Sequence, residues 1–348
     1  MSKLRMGVIG TGGISAVHIR GIRESPDAEL TAVCDIDPHT LQQKGDLYQI
    51  PVSHRFRSHP ELLHCPEVDA VSICTPNDSH YQITLDAIEL SKPFALEKPV
   101  TLNIEEAGLL QRAAEAKKIP NMVCFSYRFK AAARYARWLI KQGSLGRIYH
   151  VYGQYLQSWA DSDLPLVWRF EKCRSGSGAL GDLGVHMIDL VRFLVGEFTK
   201  VSGMTGTFVT SRKLCNAEGY GAVDVDDYCH FLAELEGGIG ASFSISRYAY
   251  GRGNYQRLEV YGSQGAVIYG LEDQDTLLVC LGDVYKEAKT FTEVPVPSRF
   301  KADQMQSFFD IINGDGDGLA ATIADGSASQ KVADAIIKSF AEERLIKL

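Results

Sequence analysis

The run Gly178-Ala-Leu-Gly-Asp182-Leu-Gly-Val-His186-Met-Ile-Asp189 holds the densest set of reactive side chains in the chain. Its glycines lead into a helix expected to end near Gly196. Asp182 and His186 then stand at i and i+4, on one helical face. An imidazole titrates near neutral pH, so His186 suits a general base that removes a hydroxyl proton. Asp182 falls in the first turn, where the helix dipole favours a carboxylate. Plainer roles compete: Asp182 as a helix cap, His186 as a satisfied core histidine. His186 and Asp189 could also ligate a metal, but only two or three ligands are in view, and no metal is expected.

Two earlier motifs end strands. In Glu97-Lys98-Pro99 the proline stops the ladder and fixes the direction of what precedes it. A lysine there can donate to a substrate hydroxyl and stabilise the alkoxide formed on oxidation. Taken alone it also reads as an ordinary surface lysine. Cys74-Thr75-Pro76-Asn77 leaves the sheet in the same way. Ligands of open α/β sheets sit beyond the carboxyl ends of strands, which places Thr75, Pro76, Asn77 and His80 near a bound molecule. Helix capping is the rival role for Asn77.

A third motif says what that molecule is. Gly10-Thr-Gly12-Gly13-Ile14-Ser15 follows a strand and opens a helix. Gly10 makes the tight turn, Gly12 admits a pyrophosphate close to the backbone, and the helix N-terminus supplies N–H groups and a positive dipole end. The third fingerprint position is Ser15, still small enough for helix–strand packing. Asp35 ends the second strand, 20 residues after Ser15. A carboxylate there can bond both ribose hydroxyls of NAD and repels a 2′-phosphate. Ile36 follows it, where an arginine would suit NADP. NAD is therefore expected over NADP, although Asp35 could instead serve as a turn or cap residue beside Asp37-Pro38.

These residues need particular elements to carry them. Strand-like runs at Met6–Gly10, Leu30–Asp35, Ala70–Thr75, Phe94–Leu96 and Met122–Ser126 alternate with helical patterns near 14–24, 38–48, 79–91 and 103–117. That alternation predicts right-handed βαβ units and a parallel sheet. After about residue 128 the pattern changes. A helix is predicted over Lys130–Gln142, stopped by Gly143. Strands follow at Ile148–Leu156, Val201–Val209, Tyr228–Leu235, Ile239–Ile245, Arg257–Tyr261, Val267–Tyr269 and Leu277–Leu281, with hairpin turns at Gly237-Gly238 and Gly262–Gly265. Two closing helices are read near 301–313 and 322–344, separated by the flexible connector Asn313–Gly318. The fold class is thus α/β: an N-terminal Rossmann domain over 1–126, then an α+β domain over 127–348 with a large, mostly antiparallel open sheet. The last helices are left free to pack back on the first domain.

Composition excludes other classes. The chain has 348 residues and a formal net charge of −7. It lacks the basic stripe that a nucleic-acid partner requires. Membrane association is not expected either, because no segment approaches the ~18 uninterrupted apolar residues of a membrane helix. The apolar run at the start is too short for a signal-peptide core. The eight cysteines show no C-x-x-C spacing, and several sit inside apolar runs as small buried hydrophobes. A cytoplasmic protein is expected.

Taken together, the sequence resembles the glucose–fructose oxidoreductase / inositol dehydrogenase / MocA family over nearly its whole length. The Gly10-x-Gly12 loop, Thr75-Pro76-Asn77 with His80, Glu97-Lys98-Pro99, Tyr127-Arg128-Phe129, Trp168-Arg169-Phe170 and Gly181-Asp182-x-Gly184-x-His186-x-x-Asp189 carry the likeness. The resemblance implies NAD(P) in the first domain and a sugar or polyol substrate closed in by the second. It also implies that the second domain's sheet makes a homodimer or homotetramer. Lys98, Asp182 and His186 would form the catalytic group: His186 the base, Asp182 holding the substrate, Lys98 on the reacting hydroxyl. Gly10, Gly12, Gly13, Ile14, Asp35, Ile36, Thr75, Pro76, Asn77, His80, Glu97, Lys98 and Arg128 would line the cofactor. Tyr127, Trp168 and Arg169 would join Asp182 and His186 at the substrate. Tyr127–Phe129 could instead be packing with a snorkelling arginine. The polar loop 157–177, with Asp161 and Asp163, is a natural specificity element.

The reading is an NAD-dependent sugar, anhydrosugar or cyclitol dehydrogenase. Its rivals are an NAD-retaining glycosidase of the same fold and a non-catalytic sugar or dinucleotide sensor.

Overall fold

The computed structural model describes residues 3–215, 217–272 and 276–348, apart from the side chains of 284–286. In chain order the elements begin β1 (Leu4–Ile9), α1 (Ser15–Glu24), β2 (Ala28–Cys34), α2 (Pro38–Leu47), β3 (Arg55–Phe56), α3 (His59–Leu63), β4 (Ala70–Ile73), α4 (His80–Glu89), β5 (Phe94–Leu96), α5 (Ile104–Lys117) and β6 (Asn121–Val123). They continue with α6 (Ala131–Lys141), β7 (Ile148–Leu156), α7 (Lys172–Ser175), α8 (Val185–Leu194), β8 (Phe198–Gly206), β9 (Ser211–Lys213), β10 (Tyr220–Ala222), β11 (Tyr228–Leu235), β12 (Ile239–Ser246), β13 (Tyr255–Gly262), β14 (Gly265–Gly270), β15 (Thr276–Leu281), α9 (Gly282–Ala288), β16 (Thr292–Pro295), α10 (Gln304–Asn313), α11 (Ile323–Ala341) and β17 (Ile346–Lys347). The chain divides into two units, Met1–Ser126 with Ala302–Ser327, and Tyr127–Lys301 with Ala328–Leu348.

The first unit carries a six-stranded sheet in the order β3-β2-β1-β4-β5-β6, every pair parallel. Its central strands read as continuous apolar runs because helices cover both faces. Met6, Val8, Val71, Ile73, Phe94 and Leu96 have no exposed surface. Residues 302–327 complete this unit. The Val123 N–H donates to the Ala321 carbonyl at 2.8 Å, and the Asn121 side chain accepts from the Ile323 N–H at 2.8 Å. Helix α10 lies against α1 at Gly21, where a Cβ would fall 2.7 Å from Met305 Cγ.

The second unit carries a nine-stranded sheet, β16-β15-β14-β13-β7-β12-β11-β8-β17. All its pairs are antiparallel except β12–β7. Along β7, Val151, Gly153 and Tyr155 turn inward while Tyr152 and Gln154 are exposed, the alternation of a sheet solvated on one face. Gly153 leaves room for α8, since a Cβ there would meet Phe243 at 2.5 Å and Met187 Sδ at 3.0 Å.

Two expectations shift, and one strand pair is new. The strand expected over Val201–Val209 runs over Phe198–Gly206 instead. The N–H groups of Phe208 and Val209 turn to Asp227 Oδ2 (2.7 and 3.1 Å) and so leave the ladder. The helix expected from 301 starts at Gln304, where the Asp303 side chain caps it by accepting from Gln306 N at 2.9 Å. The short pair β9–β10 had no periodic signal in the sequence.

Candidate functional site

In the first unit, β1 runs into a turn that only glycine can make. Gly10 has φ +85°, and a Cβ there would lie 2.8 Å from the Cys74 carbonyl. Gly12 and Gly13 differ: a Cβ on either meets nothing within 4 Å. The loop is thus tight at its root and open at its tip, where a ligand can approach the backbone. Ser15, buried, ties the loop to α1 by donating from Oγ to the Gly12 carbonyl at 2.6 Å. Helix α1 starts with no side-chain cap at Ile14, so its first amides suit an anionic ligand.

Asp35 follows β2. Its Oδ2 accepts from the Thr11 N–H (2.8 Å) and Thr11 Oγ1 (2.7 Å), and its Oδ1 accepts from the Asp37 N–H (3.0 Å). The capping of α2 falls to Asp37, which accepts from His39 and Thr40. Asp35 is left to brace the glycine loop. Ile36 beside it is 82% exposed and brings no cation to a 2′-phosphate. Open glycines, uncapped amides and a carboxylate form a donor and acceptor set that fits NAD.

The turns after β4 and β5 are tied together. His80 opens α4 and is fully buried. Its Nδ1 lies 2.8 Å from the Pro99 carbonyl oxygen and its Nε2 3.0 Å from that of Thr75. The ring sits between the carbonyls of the two turns, at the carboxyl ends of β4 and β5. Burial pushes its pKa below the ordinary histidine value, against the pull of the two carbonyls. Asn77 is also buried, and Lys98 is half-buried in a turn whose Lys98–Pro99 bond is cis. Glu97 is 8% exposed, and its Oε2 accepts from the Lys98 N–H at 3.2 Å.

The partner of Glu97 is a residue that the sequence reading missed. His18 of α1 is 1% exposed. Its Nε2 donates to Glu97 Oε1 at 2.9 Å, and its Nδ1 lies 2.7 Å from Ser72 Oγ. Burial acts to lower its pKa, but Cys74 and Glu97 raise it to about 10. Burial would raise the pKa of Glu97, but His18 brings it below the ordinary carboxylate value. The pair is therefore imidazolium and carboxylate. The signal was present: His18 shares the buried face of α1 with Ile19 and Ile22, a position where a histidine needs a partner.

In the second unit, Asp182 does not lie in a regular first turn. Residues Leu180–Gly184 form one π turn before α8, a feature frequent at functional sites. Nor does Asp182 cap the helix. Asp226 does so, accepting from Gly178 N at 2.7 Å and Leu180 N at 2.8 Å. A Cβ at Gly178 would fall 1.8 Å from the Asp226 carbonyl oxygen. His186, 7% exposed, has the Tyr127 ring 4.7 Å away, centroid to centroid. The Tyr127 hydroxyl bonds that of Tyr155, which donates to Asn254 Oδ1 at 2.9 Å. Gln157 Nε2 donates to Tyr155 Oη and Asn254 Oδ1 at 3.2 and 2.6 Å. Burial raises the Tyr155 pKa and keeps it a neutral phenol. This polar chain beside His186 had no motif to announce it.

Arg128, expected at the cofactor, is 5% exposed and forked onto Asp189 (Nε–Oδ2 2.8 Å, Nη2–Oδ1 2.6 Å). These two bonds stitch the segment after Tyr127 to α8. The same fork occupies Asp189, which also has Arg192 at 3.9 Å, so Asp189 is no open metal ligand. Among the described residues, the groups able to gather three ligands are His18–Glu97–Cys124, whose histidine and carboxylate already bond each other, and His54–Cys65–Glu67. Neither includes His186.

Arg169 lies over the Trp168 ring at 4.4 Å, both half-buried. The polar loop that leads to them is held from below. Arg212 of β9 donates to the carbonyls of Ala160, Asp161 and Leu164 with its guanidinium 3.9 Å from the Phe170 ring centroid. Arg247 pairs with Asp227 at 3.2 Å and donates to the Arg169 carbonyl at 3.3 Å. Loop composition alone gave no hint of this scaffold.

A glycine loop with open amides, a carboxylate after β2 and a second, sheet-rich unit define the class of dinucleotide-dependent oxidoreductases. Known proteins specify it further. Residues 4–125 match the model of an oxidoreductase family with an NAD-binding Rossmann fold, and residues 133–268 match that of the GFO/IDH/MocA C-terminal domain. The chain is 34% identical to levoglucosan dehydrogenase of Pseudarthrobacter phenanthrenivorans over 310 residues, 80% of this chain and 79% of that protein. It is 28% identical to inositol 2-dehydrogenase of Rhizobium meliloti over 352 residues, 99% of each. A solved structure of levoglucosan dehydrogenase in complex with NADH superposes with a TM-score of 0.92 at 29% identity, covering 99% of each chain. The chain belongs to the GFO/IDH/MocA family and is an NAD-binding oxidoreductase. Among the described residues no helix is long and apolar enough to cross a membrane.

Proposed function

We propose that the enzyme transfers a hydride between NAD and a secondary hydroxyl carbon of a sugar, anhydrosugar or cyclitol. The observation that carries this reading is His186 set against Tyr127 and one turn beyond Asp182, with Asp226 taking over the cap. A buried imidazole beside a hydroxyl-rich network suits a substrate that presents several hydroxyls. The named relatives act on compounds of this kind.

When bound, NAD supplies the hydride acceptor at its nicotinamide ring. The residues of this chain handle the rest. His186 removes the hydroxyl proton as general base, and returns one in the reverse direction. Asp182 holds the substrate and orients it to the imidazole. Lys98 donates to the same oxygen and stabilises its negative charge. Asp35 holds the cofactor's ribose, and the amides at Gly12–Ile14 its pyrophosphate. Trp168 and Arg169 contact the substrate. We further propose that the exposed face of the nine-stranded sheet pairs subunits.

The test is reduction of NAD by the purified protein over a panel of sugars, anhydrosugars and inositols, with NADP run beside it. Reduction with one compound and little with NADP supports the proposal. Measured NAD binding with no reduction across the panel overturns it. Release of sugar from a chromogenic glycoside without net reduction would point to the glycosidase.

A further inference from the structure

Lys98 lies between two residues that are each gripped by a buried histidine. On one side is Glu97, whose Oε1 accepts from His18 Nε2 at 2.9 Å and whose Oε2 accepts from the Lys98 N–H at 3.2 Å. On the other is Pro99, whose carbonyl faces His80 Nδ1 at 2.8 Å. Both histidines are at most 1% exposed. Their origins differ. His18 sits in the first turns of α1, the helix opened by the glycine loop. His80 begins α4, directly after Thr75-Pro76-Asn77, and its Nε2 lies 3.0 Å from the Thr75 carbonyl. One imidazole therefore joins the glycine-loop helix to the lysine turn, and the other joins the Thr75 loop to it.

The serine in this network is no nucleophile. Ser72, His18 and Glu97 mimic a hydrolytic triad in their connectivity, but Ser72 lies within β4 and has no exposed surface. No substrate reaches it. Its hydroxyl anchors the imidazole and has Cys74 Sγ 3.7 Å away. The arrangement spends two buried rings and one buried carboxylate on the backbone either side of a single lysine. Burying such groups is costly unless their bonds are made. Here the bonds converge on the geometry of one turn.

We propose that His18 and His80 are positioning residues that clamp the Glu97–Lys98–Pro99 turn. They fix the lysine relative to the two loops that receive the dinucleotide. The inference rests on the role assigned to Lys98 above. It adds that the lysine takes its position from the two cofactor loops, through these two rings. Displacing a reacting group by about 1 Å can cost on the order of 100-fold in rate.

The experiment compares His18→Ala, His18→Gln, His80→Ala and His80→Gln with wild type, each with and without Lys98→Ala. Folding and NAD binding are read by thermal melting and calorimetry. The clamp predicts that each alanine variant lowers kcat about 100-fold while the NAD Kd moves no more than about threefold. Glutamine at 18 restores part of the rate, because its amide can still donate to Glu97. The pH profile of kcat/KM shifts in both alanine variants. In the Lys98→Ala background either histidine substitution changes the residual rate less than about threefold, since there is no lysine left to place. Equal rate losses with and without Lys98 would overturn the clamp and make the histidines merely structural. Should an alanine variant fail to fold, the glutamine variants carry the same comparison. Wild-type turnover in Lys98→Ala alone would instead overturn the assigned role of the lysine.

Discussion

Asp35 Oδ2 accepts hydrogen bonds from both the N–H and the Oγ1 of Thr11, at 2.8 and 2.7 Å. The carboxylate proposed to hold the ribose is also a brace for the glycine loop. Asp35→Ala should therefore weaken NAD binding by about 10- to 100-fold, the loss of one or two hydrogen bonds to a charged group. The kcat at saturating NAD should change little. Thr11→Val removes the Oγ1 bond alone and should cost less than about tenfold. Calorimetry on both variants decides it. Equal losses would mean that Asp35 acts only through the loop.

His186→Ala should lower turnover by about 100- to 10,000-fold, the usual worth of a positioned acid–base group. NAD affinity should stay within about threefold. Steady-state kinetics beside calorimetry check this, and an intact kcat would remove His186 from the role of base.

The buried His18–Glu97 pair predicts a pH dependence of stability. The His18 pKa rises to about 10 from an ordinary 6.5, despite burial, because of Cys74 and Glu97. A group raised on folding contributes fully below 6.5 and loses that contribution as pH climbs through about 10. Glu97, depressed on folding, loses its share at acidic pH. The unfolding midpoint should then fall as pH rises between those limits. His18→Leu should show a shallower slope over the same range. An unchanged slope would mean that His18 is neutral in the fold.

Arg128 and Asp189 form a buried fork, and removing one partner takes two charge-assisted hydrogen bonds from the other. Arg128→Met should destabilise the protein by about 3–5 kcal/mol. Adding Asp189→Leu should recover most of that loss, because a pair of apolar side chains leaves no buried charge. Denaturant melts of the single and double variants test it, and additive losses would refute the pairing.

Much of this was legible in the sequence because local rules enforce it. Gly10 must adopt a positive φ, and Phe94–Leu96 must be buried on both faces, so pattern and structure agree there. Two hairpin glycine pairs, Gly237-Gly238 and Gly262 with Gly265, join strands that do pair antiparallel. What escaped depends on contacts far apart in sequence. The π turn at Asp182 needs Asp226, which lies 48 residues beyond Gly178. His18 finds Glu97 across 79 residues. The fork from Arg128 to Asp189 spans 61 residues, and no local pattern announces it. Tyr155 and Gln157 stand two residues apart at the end of β7, but Asn254 lies 99 residues beyond Tyr155 and no spacing relates it to them.

The hydrogen bond from Val123 to the Ala321 carbonyl bears on how the molecule comes into being. The first unit includes 302–327, and the second includes 328–348. Neither unit is one uninterrupted stretch of chain. During synthesis the NAD-binding unit stays unfinished until residues 302–327 have left the ribosome, after most of the second unit, so it cannot mature before the second unit in the usual N-to-C order. For the same reason the two units cannot be exchanged between relatives by a single cut and splice. They are inherited, and must fold, as an interleaved pair.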